Sequence, residues 1–197
     1  MPSRRDEILA ALRRNAPPAA APPDLAGLGV TFDDPIAQLA QSVVAVGGAC
    51  ARVPDLAAAN AVIAALPQAA AAKKIVSLVP GVGAPNVDLA AVADPHELND
   101  LDLAILPGQL AVAENAAVWV DGSVLPHRAV FVITDHLVLV VPAKDVVHHM
   151  HEAYARLAGR PRGYGLFISG PSKTADIEQV LVVGAQGART CTVVVVG

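Results

Sequence analysis

Runs of Val, Ile and Leu recur along this chain at Ile75 to Val79, Leu101 to Leu106, Leu137 to Val141 and Thr192 to Val196, with Ala-rich stretches between them. Runs this apolar, with no polar residue on alternate positions, suit strands buried on both faces, the situation of a parallel sheet covered by helices. Aromatic residues make up only 3% of the chain, so the core must be built from Val, Leu, Ile and Ala. The hydrophobic share of 54% is raised by alanine rather than by large side chains. The fold class expected is α/β, with a mixed, mostly parallel sheet flanked by helices. A length of 197 residues suits one domain, with or without an appendage.

Capping residues place the helices. Ser3 can cap a first helix over residues 3 to 14, with Asp6 and Glu7 at its positive end and Arg13 and Arg14 at its negative end. Ile8, Leu9 and Leu12 share one of its faces. The Pro- and Ala-rich stretch Asn15 to Pro23 then reads as a linker. Residues 1–23 are therefore expected to be a helical arm and linker, and residues 24–197 the α/β domain. Asp34 and Pro35 open a second helix whose buried face carries Ile36, Leu39, Ala40, Val43 and Val44. Gly47 and Gly48 end it, and a strand from Ala49 to Val53 follows. Asp55 caps a helix with Leu56, Ala59, Ile63 and Leu66 on one side, and Asp94-Pro95-His96-Glu97 is a capping box for a short turn.

After Gly108 the pattern predicts an antiparallel insertion. Ala116 to Val120 and Ala129 to Thr134 read as strands joined through Asp121-Gly122-Ser123. Val146, Val147, Met150, Tyr154 and Leu157 mark a helix, Gly165 to Ser169 a strand, and Thr174 to Val183 a further helix.

Charge and composition narrow the function classes. A net charge of −4, from 14 basic and 18 acidic residues without a basic block, argues against nucleic acid as a partner. No apolar run reaches membrane-spanning length and no signal-peptide core follows Arg4 and Arg5, so a cytoplasmic location is expected. The two cysteines, Cys50 and Cys191, read as buried reduced thiols. Two thiols cannot supply the usual four ligands of an iron–sulfur cluster, so no cofactor is expected in this chain and any cluster belongs to a partner.

Several residue groups carry candidate chemistry. Ser169-Gly170-Pro171-Ser172-Lys173-Thr174, running from a strand into an expected helix, offers open amides, hydroxyls and one ammonium as an anion-binding cup. Asp176 falls in the first turn of that helix. An ordinary capped connection has the same letters, and the spacing is not that of a Walker A loop. Glu114-Asn115, at a strand entrance, offers a carboxylate for acid–base or nucleophilic work; a solvated surface turn is the plainer alternative. His136, in Thr134-Asp135-His136, is a candidate general base or an exposed turn histidine. His148, His149 and His151 lie near Glu152, but without a zincin pattern they are expected on a solvated face, and no metal site is expected. Gly81-Val82-Gly83 lacks the third glycine of a dinucleotide loop, because Asn86 stands there.

The stretch from Ile168 to Glu178, with Gly184-Ala185-Gln186-Gly187-Ala188-Arg189 after it, resembles the C-terminal signature of LUD-domain proteins of the lactate-utilization protein C type. The stretch from Asp94-Pro95-His96-Glu97 to Glu114-Asn115-Ala116-Ala117-Val118-Trp119-Val120 is similar to one branch of the same family. The resemblance covers about residues 75–197 and departs from the family pattern twice. Gln186-Gly187-Ala188-Arg189 stands where His-Gly-Pro-Arg is common, and Ala116 stands where glycine is common after Glu-Asn. It implies a fold like the sugar-phosphate isomerases and CoA transferases. It also implies work in a multi-protein system that oxidises L-lactate to pyruvate beside an iron–sulfur protein. The candidate site joins Glu114 and Asn115 to Ser169, Gly170, Ser172, Lys173, Thr174 and Asp176 around a small anionic ligand. A stand-alone acyl- or CoA-transferase-like or sugar-phosphate-type enzyme using Glu114, and a ligand-sensing or scaffolding domain, are the alternatives. A homo-oligomer is compatible with each.

Overall fold

A computed structural model of the chain describes residues 3–21, 23–25, 27–159, 163–174 and 181–197. Its strands, in chain order, are β1 (Ala49–Val53), β2 (Ile75–Ser77), β3 (Leu103–Pro107), β4 (Leu110–Val112), β5 (Val118–Asp121), β6 (His136–Pro142), β7 (Val146–Val147), β8 (Gly165–Ile168), β9 (Lys173–Thr174), β10 (Val182–Val183) and β11 (Thr190–Val196). Five of them form a central sheet in the order β1-β11-β6-β3-β2, with every neighbouring pair parallel. Four form a second, mixed sheet in the order β7-β4-β5-β8, where β4–β5 and β5–β8 are antiparallel. The antiparallel insertion is thus present, on a mostly parallel α/β frame.

Strand periodicity explains why the central runs are apolar throughout. Leu137, Leu139 and Val141 of β6 enter one buried cluster, while Val138 and Val140 enter another on the opposite face. On β11, Cys191, Val193 and Val195 face the first cluster and Val194 the second. Successive side chains point to opposite faces, so a strand covered on both sides needs an apolar residue at every position. Each such Val or Leu contributes about 1.5–3 kcal/mol on full burial.

Helices α3 (Leu56–Ala64) and α4 (Pro67–Ala71) cover one face of the central sheet. Helix α2 (Pro35–Ala45) and the second sheet cover the other. Helix α6 (Met150–Leu157) lies on the outer face of the second sheet, where Ala153 packs with Leu110, Val112, Ala117 and Val147. The expected caps are in place. Asp34 accepts from the Ile36 and Ala37 amides, and Asp55 accepts from that of Ala58. Asp94 and Glu97 form the capping box of a short turn over Pro95–Leu98. Helix α1 (Arg4–Arg14) has the Ser3–Asp6 capping box, yet none of its residues is buried, and Ile8 and Leu12 are exposed.

Four expectations change. Ala129 to Thr134 is not a strand: Val130–Ile133 forms a helical turn, α5. Val130, Phe131 and Thr134 are buried and Val132 is exposed, a helical spacing that overrides the β-preference of Val and Ile. Val146 and Val147 do not open a helix but pair with Ala111 and Val112, and α6 starts only at Met150. The buried face of α2 centres on Leu39 and Val43, leaving Val44 exposed. The helix expected over Thr174 to Val183 is replaced at both ends by a ladder, Lys173 opposite Val183 and Thr174 opposite Val182. Residues 175–180, with the expected site residue Asp176, lie outside the described residues.

Candidate functional site

Glu114 sits in the tight connection between β4 and β5. The Val112 amide donates to the Ala117 carbonyl at 2.8 Å and closes a turn over Ala113-Glu114-Asn115-Ala116. That closure puts Ala116 at φ +60°, a left-handed conformation in a buried residue with a β-carbon. Asn115 stabilises the turn, its Oδ1 accepting from the Ala117 amide at 3.1 Å. The Ala113 and Glu114 amides donate to the carbonyls of Val147 (2.8 Å) and His148 (3.1 Å). Glu114 Oε1 accepts from the Met150 amide at 2.7 Å, so this exposed acid rests on the positive end of α6.

The Ser169 loop meets this turn because β8 pairs with β5. Val118 opposes Ile168, which brings the next residue, Ser169, beside the turn. Ser169 Oγ donates to the Asn115 carbonyl at 2.7 Å. Gly170 follows at φ +71°, and a β-carbon there would stand 2.8 Å from the Val46 carbonyl oxygen. Lys173 Nζ donates to that same carbonyl, at the C-terminal cap of α2. One turn earlier on α2, the buried Ser42 Oγ donates to the Ala113 carbonyl at 2.6 Å. Helix α2 is therefore a post on which both segments rest, through positions 42 and 46 of one face.

The remaining loop residues hold backbone roles. The Ser172 amide donates to the Ala188 carbonyl at 2.8 Å, and the Ser172 carbonyl accepts from the Gly184 amide at 2.9 Å. These two bonds join the Ser169–Thr174 and Gly184–Arg189 segments and set up the β9–β10 ladder. Thr174 is half-buried in that ladder, and among the described residues the Ser172 amide of the expected anion cup is already taken by the Ala188 carbonyl. His136 occupies a different place. It opens β6 between Leu103 of β3 and Thr190 of β11, and its Nδ1 lies 2.9 Å from Thr190 Oγ1. The structure thus brings Glu114, Asn115, Ser169, Gly170 and Lys173 together around α2, and gives His136 separate partners.

The His148–His151 segment departs from the expected solvated face. His149 is buried and its Nδ1 accepts from the Glu152 amide at 3.4 Å, capping α6. His148 Nδ1 accepts from the Phe32 amide at 3.0 Å, and only His151 is exposed. No group of three or more His, Cys, Asp or Glu side chains among the described residues is placed to hold a metal ion. Cys191 is buried in β11, and burial pushes its thiol up to about 12; Cys50, half-buried, is also raised by burial. Among the described residues, no helix is long and apolar enough to cross a membrane.

Sequence reasoning missed Ser42, the Val46 carbonyl and the Met150 amide. Ser42 had a readable signal, a lone hydroxyl on the helix face that carries Leu39 and Val43. The two backbone groups had none. Two cavities among the described residues, of about 590 and 580 Å³, lie elsewhere, and neither is lined by Glu114 or Ser169–Thr174.

Residues 84–196 match the family model described as the LUD domain. A lactate utilization protein C from Shouchella clausii (strain KSM-K16) is 34% identical over 101 residues, covering 48% of this chain and 44% of that protein. A second, from Geobacillus kaustophilus (strain HTA426), is 30% identical over 121 residues, covering 58% of this chain and 47% of that protein. The chain thus spans less than half the length of these curated relatives. A DUF162 family protein of known structure from Deinococcus radiodurans superposes with a TM-score of 0.58 over 85% of this chain and 99% of that one; at 20% identity the likeness shows the fold. With its family-model match running over more than half its length, the chain belongs to the LUD domain family.

Proposed function

We propose that this chain acts in lactate utilization, as a LUD-domain component of a multi-protein system that oxidises L-lactate to pyruvate. The names of its curated relatives support the pathway. The observation that carries the site is the Ser169–Asn115 hydrogen bond, which joins the two segments bearing the family resemblance into one surface on α2. In this reading Asn115, Ser169, Ser172, Lys173, Thr174 and Asp176 surround a small anionic ligand. Glu114 is the acid–base group, with His136 the second candidate. Oxidising lactate releases two electrons and two protons, and an iron–sulfur cluster on a partner protein takes the electrons. This chain's two cysteines are fewer than the four ligands such a cluster usually takes.

The test is genetic and biochemical together. Deleting the gene from its source organism is expected to abolish growth on L-lactate but not on pyruvate. The tagged chain from lactate-grown cells is expected to bring down an iron–sulfur protein. Normal growth of the deletion strain on lactate overturns the proposal. Restoration by wild type but not by Glu114→Gln or Ser169→Ala would assign the work to this surface.

Acyl transfer is a second reading, favoured by one observation: the exposed Glu114 carboxylate is carried on a turn that holds Ala116 in a left-handed conformation. A Glu114 oxygen would attack the thioester carbonyl of an acyl-CoA, the C–S bond would break, and CoA would leave as its thiolate, giving a mixed anhydride. Incubation with acyl-CoAs and mass spectrometry of the Glu114 peptide decides it, since the absence of an adduct removes this reading.

A further inference from the structure

A short strap, residues 27–33, leads into α2 and passes the turn between β7 and α6. Little of it is buried: Leu28 is 53% exposed and Val30 59%. Two consecutive histidines hold it. His148 Nδ1 accepts from the Phe32 amide at 3.0 Å, and the half-buried Phe32 ring stacks beside the imidazole. Gly29 lies on the ring of the buried His149. It sits at φ +120°, and a β-carbon there would stand 2.4 Å from the imidazole Cδ2. Glycine alone combines that backbone with that approach.

The His148 bond exists in one protonation state. An imidazole accepts only through a nitrogen without a proton. With Nδ1 as the acceptor, His148 is neutral and carries its proton on Nε2. A protonated ring has a donor at both nitrogens, so Nδ1–H would face the Phe32 N–H and the bond is lost. Histidine is the side chain that changes charge between about pH 5 and 8. Around His148 the titratable groups are few. Glu152 Oε2 accepts from the His148 amide at 2.9 Å, and Glu152 Oε1 lies 3.5 Å from His149 Nε2. Glu114 rests on the Met150 amide, His151 is exposed, and Asp33 and Asp34 follow Phe32. The two elements packed on β7 from the core side, α2 and β4, carry no charged residue.

The strap also reaches the Glu114 turn. The His148 carbonyl accepts from the Glu114 amide at 3.1 Å, and the Met150 amide donates to Glu114 Oε1 at 2.7 Å. At its other end the strap runs into Asp34, the cap of α2. It thus ties the start of α6 to the start of the helix on which the Glu114 and Ser169 segments rest. We propose that residues 27–33 form a proton-sensitive latch on the Glu114 turn, closed on neutral His148 and released when His148 takes up a proton. The latch stands on the contacts of Phe32 and Gly29 and does not depend on the lactate reading.

Amide exchange of the full chain, followed by NMR from about pH 8 to about pH 5, tests it. Rates are expressed as protection factors, which divide out the intrinsic pH dependence of exchange, and the charge on His148 is read from its own Cε1 proton. As His148 gains its proton, protection at Phe32 is expected to fall at least about fivefold, with a fall at Glu114 and Met150 and little change at Ile63 in α3. His148→Asn supplies an amide oxygen as an acceptor that does not titrate, and should hold Phe32 protection within about twofold over the same range. Its other titratable neighbours remain in that variant, so any pH dependence they cause would survive there. Gly29→Ala, which pushes the strap off His149, should show low Phe32 protection already at about pH 8. The proposal is overturned by a Phe32 amide unprotected at about pH 8, or by a His148 that stays neutral down to about pH 5. Protection unchanged across the His148 titration, a fall confined to Phe32, or an equal fall in His148→Asn overturns it as well. If His148→Asn fails to fold, the wild-type titration and Gly29→Ala decide.

Discussion

Ala116 holds φ +60° with its methyl group buried. The turn keeps its shape without glycine because Val112, Asn115 and Ser169 close it from three sides. Left-handed backbone costs a residue with a β-carbon about 1–2 kcal/mol. Replacing Ala116 by glycine removes that strain, but it frees the unfolded chain and gives up the burial of one methyl group, which offset most of the gain. Ala116→Gly is therefore expected to change unfolding stability by less than about 1 kcal/mol, whereas Ala116→Val should cost more than about 2 kcal/mol by adding β-branching and volume. Urea unfolding of both variants checks this; a tolerated valine would show that the turn is not held in this conformation. Ser42 makes a second prediction. Its hydroxyl is buried and serves the Ala113 carbonyl, so Ser42→Ala should cost about 1–3 kcal/mol and loosen the Glu114 turn, seen as faster amide exchange at Glu114 and Asn115.

Among the elements, α2 decides how the two site segments meet, and Lys173 is the informative handle. Its ammonium lies on the last carbonyls of α2, where the helix dipole is negative. Lys173→Met is expected to lower stability by about 0.3–1 kcal/mol through that helix end. A variant of unchanged stability that lost ligand affinity would move Lys173 from the helix cap to the ligand. At the start of β3, the amides of Lys74 and Lys73 donate to Asp102 and hold its carboxyl below the usual 3.8. The folded chain is thus harder to protonate at Asp102 than the unfolded one. Its contribution is fully present above that usual value and is lost as pH falls through the lower, folded one. Asp102→Asn should be less stable than wild type at about pH 6, with the gap closing toward about pH 3. A gap of constant size would separate this carboxylate from acid stability. Legibility at this scale follows how local the determinant is. The caps at Ser3, Asp34, Asp55 and Asp94 were readable because the acceptor and the amides it serves lie within three residues. The partners of Val146–Val147 come from outside any local window, and so does the packing that turns Val130–Ile133 into a helix.

At the scale of the molecule, the parallel sheet was legible because two-sided burial leaves its mark on the interior residues of β6 and β11. The layering above it was not, because the second sheet is made of short strands, all four of them (β4, β5, β7 and β8) of four residues or fewer, whose pairing is set by the crossing chains. The site followed the same division. Glu114, Asn115 and Ser169 were named from sequence, but their meeting depends on the β5–β8 register and on Ser42 of a distant helix. The sheet also supplies a reporter of its own integrity. Cys191 lies on β11 between β1 and β6, nearly without exposure, and its thiol is pushed up to about 12. Reagents that attack thiolates need both ionisation and access, and here neither exists until β11 leaves the sheet. Cys50, half-buried on the edge strand β1, is the more accessible of the two. In native buffer a thiol reagent is expected to modify Cys50 slowly and Cys191 only through global opening. The Cys191 rate should therefore rise with urea in step with the unfolding equilibrium, while the Cys50 rate keeps a urea-independent component. Ser42→Ala, which destabilises the fold by about 1–3 kcal/mol, should accelerate Cys191 labelling by the matching factor of about 5–150 and change Cys50 far less. Rapid native labelling of Cys191 would place β11 outside the most stable part of the sheet.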